Sequence, residues 1–151
     1  METQPNDTMA LAQQFIDALH ALEQGGENDA DALAALFSDD AHLTNAALRL
    51  AGVERRGREA VGHFWREYKR TVGTAYSEFH QVTVNAEAAG LFWTTRITGG
   101  DGASESAAYD GTSLLVFDET GKIRFFQGYY DTRELNHATG VGREDQNPAP
   151  G

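Results

Sequence analysis

The chain has 151 residues and no cysteine. That absence removes disulfides, thiolate nucleophiles and cysteine-ligated zinc. No apolar run approaches the roughly 18 residues of a membrane-spanning helix. The first residues, METQPNDT, are polar and acidic, unlike a secretory or transit segment. Cations are scarce: 12 Lys and Arg stand against 23 Asp and Glu, a formal net charge of −11. That balance argues against nucleic acid or an anionic membrane as the main partner. The five histidines (His20, His42, His63, His80 and His137) lack ligand spacing such as His-x-x-x-His, so no metal site is expected. There is no phosphate-cradling glycine loop and no flavin, nicotinamide or nucleotide motif, so no cofactor is expected. The expectation is a cytoplasmic protein of one domain, since a length near 150 can bury a real core.

What is present is unevenly arranged. Residues 1–48 carry nine acids and no Lys or Arg, whereas residues 49–70 carry seven basic residues. The short block Arg55, Arg56, Arg58 reads as a solvated loop at a helix entrance. Residues 1–7 read as a disordered N-terminus, 8–136 as the domain, and 137–151, polar and ending NPAPG, as a disordered tail.

Asp7 or Thr8 can cap a first helix whose stripe is Leu11, Phe15, Leu19 and Leu22, stopped at Gly25-Gly26. A shorter helix follows from Asn28 or Asp29 through Phe37, then a turn at Ser38-Asp39-Asp40 and a short strand over 42–47. Residues 49–57 read as a loop. A third helix carries Val61, Phe64, Trp65, Tyr68 and Val72 at steps of three and four. The period then changes. Strands are expected over 76–84, 91–98, 106–117 and 122–130, with a flexible tip at Gly99-Gly100-Asp101-Gly102 and a tight turn at 118–121. Helices that precede an antiparallel meander make an α+β domain. Both parities are apolar in Leu114–Phe117, and aromatics occupy both parities of the last strand. A sheet apolar on both sides must have both covered, so a homodimer through the sheet face is expected.

This order, with FSDDAHLTN, GREAVGHFWREY and the hairpin LLVFDETGKIRFFQGYYDTREL, resembles the nuclear transport factor 2-like superfamily, in particular its SnoaL-like branch. Polyketide cyclases, ketosteroid isomerases and limonene epoxide hydrolases are its relatives. The resemblance covers about residues 8–136. It implies a cone: a curved antiparallel or mixed sheet, cystatin-like, wrapped around three N-terminal helices with a pocket inside.

The resemblance also implies pocket residues. Phe15, Leu43, Asn45 and Trp65 should line it. Phe92, Thr94, Arg96 and Thr98 should join them from the middle strand, Tyr109 and Ser113 from the long strand, and Phe126 and Tyr130 from the last. The sequence departs from the family's catalytic sets. Where ketosteroid isomerases carry a base, a phenol and a protonated acid, this chain has Asn45, Phe15 and Ser113. Of the epoxide hydrolase set it keeps Arg96 and Asn45, but Thr98 and Gly128 replace the two acids.

Arg96 is the most informative candidate, because an inward guanidinium stays charged and requires an anionic or enolate-like partner. Asn45 can orient a carbonyl or a water. Asp110 or Tyr130 would move the proton, with Asp110 turned inward by a bulge at Gly111. Simple alternation on that strand gives a competing reading, in which Leu91, Trp93 and Ile97 face inward and Arg96 faces solvent. The functional expectation is a cofactor-independent isomerase, cyclase or hydrolase acting on an apolar or amphipathic oxygenated ligand. The alternative is a non-catalytic binding or dimeric interaction module that has lost the family's carboxylates.

Overall fold

A computed structural model describes residues 5–97 and 107–139 of the chain. The expected glycine tip at 99–102 and the tail from 140 onward lie outside the described residues.

Helix α1 (Pro5–Gln24) buries Ala12, Phe15, Ile16, Leu19 and Leu22, the stripe its spacing predicts. It starts before Asp7, earlier than the capping residues suggest. The second helix is shorter than its sequence pattern: a three-residue 3-10 turn (Glu27–Asp29) leads into α2 (Ala30–Ala34). Phe37 already belongs to strand β1 (Phe37–Asn45). The expected turn at Ser38-Asp39-Asp40 is a register shift within that strand. The Arg58 guanidinium pins the irregularity by donating to the Phe37 carbonyl at 2.9 and 3.0 Å and pairing with Asp39 at 2.7 Å. Bulged strands keep unpaired polar groups, which is why these residues look turn-like.

The expected loop over 49–57 is mostly ordered. Helix α3 (Ala46–Ala51) is capped by Asn45 and closed by Gly52 at φ 75°, and strand β2 (Arg55–Arg56) follows. Helix α4 (Arg58–Val72) buries Val61, Gly62, Trp65 and Val72 on one face. Strands β3 (Ala75–Val84), β4 (Ala88–Ile97), β5 (Ala107–Phe117) and β6 (Ile123–Tyr130) form the meander. Helix α5 (Thr132–Thr139), unforeseen in the sequence, runs past residue 136. No helix among the described residues is long and apolar enough to cross a membrane.

The six strands form one sheet in the order β2-β1-β6-β5-β4-β3. All neighbours are antiparallel except β1 and β6, which run parallel. Helices α1 and α4 pack on the inner face, and α2 packs against both of them. The core there joins Phe15, Leu22, Leu33, Phe37, Leu43 and Leu115, all essentially inaccessible to solvent.

Candidate functional site

Register determines what the inner face presents. Across β3, β4 and β5, Ser77 pairs with Thr95 and Thr95 with Tyr109. These three hydroxyls form one cross-strand row. The next inward row sets Trp93 against Gly111 and Gly111 against Tyr130. Asn45, Gly128 and Ser113 form another. At the sheet edge Arg55 pairs with the inward-facing Leu43, which itself pairs with Phe126.

These rows line a cavity of about 240 Å³ between sheet and helices, small beside the roughly 300–1,000 Å³ of most ligand sites. Phe15, Trp65 and Phe126 form its aromatic wall, with ring centroids 5.5 to 6.0 Å apart. Ala47, Glu67 and Thr71 border the cavity and are exposed, which places its opening between α3 and α4.

Behind the hydroxyl row lies Glu23, fully buried near the end of α1. Its Oε2 accepts from the Tyr68 hydroxyl at 2.5 Å and from the Ser77 hydroxyl at 2.5 Å, and its Oε1 accepts from the Ser77 N–H at 2.8 Å. The Ser77 hydroxyl also meets that of Thr95 at 2.6 Å. Lys69 is spent on the Glu23 backbone carbonyl at 2.8 Å. Among the described residues no cation pairs with this carboxylate, so hydroxyl and backbone donors hold it.

Burial pushes the Tyr68 phenol well above its ordinary value, and the neighbouring Tyr109 and Glu23 add to the rise. Tyr109 is raised by burial first and then by Tyr130 and Glu23, despite its interactions with the hydroxyls of Tyr68 and Thr95. Burial also raises Tyr130. All three phenols therefore keep their protons at neutral pH, and Tyr68 donates its own to Glu23.

Two further polar groups complete the lining. The Asn45 carboxamide oxygen accepts from Leu48 N–H at 2.8 Å, so it caps α3 and leaves its N–H donors to offer a ligand. The Trp65 indole N–H is buried and has no hydrogen-bond partner. Trp93 is different: its N–H donates to the Ser113 hydroxyl at 2.9 Å.

Of the residues expected in the pocket, Phe15, Asn45, Trp65, Tyr109, Ser113, Phe126 and Tyr130 line it. Leu43 is fully buried in the core behind the lining. Thr98 lies outside the described residues. Phe92, Thr94, Arg96 and Asp110 are corrected: they stand on the outer face of the sheet. Arg96 and Asp110 are exposed, and Asp110 accepts from the Thr94 hydroxyl there at 2.5 Å. The reason is parity. Leu91, Trp93, Thr95 and Ile97 are buried on β4, so plain apolar alternation, rather than the family pattern, gives the register. Strands β4 and β5 pair without a bulge, so nothing turns Asp110 inward. Gly111 serves the Trp93 ring instead, which lies where a side chain at that glycine would be.

Glu23, Ser77, Thr95 and Arg55 were missed in the sequence, whereas Trp93 faces inward as plain alternation has it. Glu23 left a signal: it continues the Phe15–Leu19 stripe at helical spacing, a carboxylate on an apolar face. Arg55 left none, since a two-residue strand has no period to read.

A family model for the SnoaL-like domain matches residues 12–126. No curated protein matches the chain significantly. Among solved structures, a nuclear transport factor 2-like protein from Burkholderia pseudomallei is similar, with a TM-score of 0.71 and 18% identity over 89% of this chain and 98% of that one. A SnoaL-like protein from Burkholderia thailandensis gives 0.63 and 18% over 82% and 94%. A protein with a cystatin-like fold from Methylobium petroleophilum gives 0.65 and 21% over 86% and 79%. These likenesses agree with the architecture described above, and the family match extends over most of the chain: the chain belongs to the SnoaL-like domain family.

Proposed function

We propose that this protein binds a small, largely apolar, oxygen-bearing molecule in the cavity and acts on it as a cofactor-independent isomerase or cyclase. Its acid–base group would be the Glu23–Tyr68–Tyr109 network. The observation that carries this reading is the fully buried carboxylate of Glu23, held by three donors behind an otherwise aromatic wall. Burying an ionisable group is costly, so a fully buried carboxylate behind a cavity is a candidate for function. A neutral Tyr109 hydroxyl would donate to a substrate oxygen and stabilise negative charge developing there. A proton leaving the substrate would pass to the Tyr68 oxygen as Tyr68 passes its own to Glu23 Oε2 along the 2.5 Å bond. The products of that step are a neutral phenol and a protonated carboxyl. No phenolate accumulates, which suits phenols whose ionisation is suppressed.

The test is proton exchange. Cyclic ketones such as 2-tetralone are incubated with the protein in D2O and followed by NMR. Deuterium should enter beside the carbonyl faster than in buffer, and Glu23→Gln should lower that rate about 10²-fold or more, the usual scale of general acid–base catalysis. Exchange at the buffer rate across the ketones, with binding intact, would leave non-catalytic ligand binding. One observation favours that second reading: protein donors already satisfy Glu23, as they would for a purely structural carboxylate.

We also infer a homodimer through the outer face of the sheet. Tyr129 and Phe92 lie on that face at 48% and 37% exposure, beside the half-buried Leu114, Val116 and Phe125. A cysteine-free composition fits a cytoplasmic location.

A further inference from the structure

We propose that the ligand of this cavity is an amphipathic monocarboxylate whose carboxylate is held by Arg55. The inference rests on reading the cavity as a ligand site, and adds the chemical class of what enters it.

Arg55 is half-buried and borders the cavity. Its pairing opposite inward-facing Leu43 directs it to the inner side of the sheet, while Arg56, opposite His42, points outward. The adjacent acid does not neutralise it. Glu54 is engaged by Arg56 at 2.6 Å and by His42 at 3.5 Å, both on the outward side. Glu67, the one acid lining the opening, forms no ion pair with Arg55 and lies in the field of Arg70. Among the described residues Arg55 has no hydrogen-bond or ion-pair partner, whereas Arg56, Arg58, Arg66, Arg70 and Arg133 are paired; Arg49, Arg96 and Arg124 are unpaired too, but they are exposed, and Arg55 is half-buried. A guanidinium left unpaired beside an apolar cavity is a site for a planar anion, which it can bind through two parallel N–H bonds.

Charge balance selects a monoanion. One guanidinium faces the cavity, and Glu67 at the opening would oppose a dianionic phosphate. Shape selects the rest. From Arg55 on β2 to Tyr109 on β5 the sheet crosses three strand spacings, about 14 Å of backbone separation. The Arg55 side chain shortens that span. Between the two ends lie Phe126 and Trp65, whose indole N–H still lacks an acceptor. An aryl or alkyl body a few carbons long would fill the aromatic section, its carboxylate at Arg55 and its far end toward the hydroxyl row.

The experiment compares 4-phenylbutanoate with its neutral isostere 4-phenylbutanamide at neutral pH and low salt. Both tryptophans of the chain, Trp65 and Trp93, line the cavity, so intrinsic fluorescence reports occupancy. The acid should bind at least about tenfold more tightly than the amide. Arg55→Gln should make the two equal, and Arg55→Lys should keep a reduced preference, since it retains charge without the bidentate fork. Should Arg55→Gln fail to fold, the acid–amide ratio in the wild type and in Arg55→Lys decides. Equal binding of acid and amide to the wild type would overturn the carboxylate assignment alone, leaving the cavity a ligand site. Binding of neither compound would overturn both. An acid preference untouched in Arg55→Gln would also overturn the assignment, because the charge would lie elsewhere.

Discussion

The buried phenols beside Glu23 make the site sensitive to pH. Burial holds the Tyr68 and Tyr109 protons more tightly in the folded chain than in the unfolded one. Their contribution to stability is complete below the ordinary phenol value of about 10 and is lost as pH rises beyond it. The protein should therefore lose stability steeply above about pH 10, with phenolate absorbance rising together with unfolding. Denaturant titrations at pH 8 and pH 11 check this. The double variant Tyr68→Phe, Tyr109→Phe should show a shallower loss between the two, and an equal slope in both proteins would remove these phenols as the cause. Much of the cavity's aromatic lining was legible through the family resemblance: Phe15, Trp65 and Phe126 stand where it put them. The chemistry was harder. A buried carboxylate is legible only as an exception to a helical stripe, and its partners Ser77 and Thr95 are ordinary strand residues until a register brings them together.

Elements carry the site through turns and close approaches. Gly111 lies beneath the Trp93 ring, and a Cβ there would also come within 2.7 Å of the Tyr129 carbonyl oxygen. Gly111→Ala should thus force Trp93 from its place and its bond to Ser113, costing about 1–3 kcal/mol as overpacking does. Chemical denaturation measures the cost, and a shift in tryptophan emission reports the moved ring. An unchanged midpoint would mean that the ring has room to spare. The long elements, α1, α4 and β3 to β6, matched their sequence patterns because each repeats its period several times. The short ones did not. Helix α3 depends on a single cap at Asn45, β2 has two residues, and the irregular part of β1 is fixed by Arg58 from a distant segment. Tertiary partners decide such elements, and local propensity carries little information about them.

On the scale of the whole molecule, the two faces of the sheet have different tasks. The inner face holds the cavity, and the outer face leaves Phe92 and Tyr129 open to water. If that face pairs with a second copy, Phe92→Glu with Tyr129→Glu should yield a monomer by light scattering while the fold, by circular dichroism, stays intact. A wild-type protein that is already monomeric at micromolar concentration would refute the pairing. The parallel joint between β1 and β6 has a consequence of another kind. The hydroxyl row lies on β3, β4 and β5, which follow one another in the chain and pair as neighbours in the sheet, so it arises from contacts between consecutive elements. Arg55 and Asn45 reach the same cavity only through β1, whose partner β6 lies on the far side of the entire meander. Closing so long a loop has an entropic cost that local hairpins do not bear. The part of the site that would recognise a ligand thus depends on the closure of the sheet between its first strand and its last, and a chain short of that closure could hold the row of Ser77, Thr95 and Tyr109 without the means to select what reaches it.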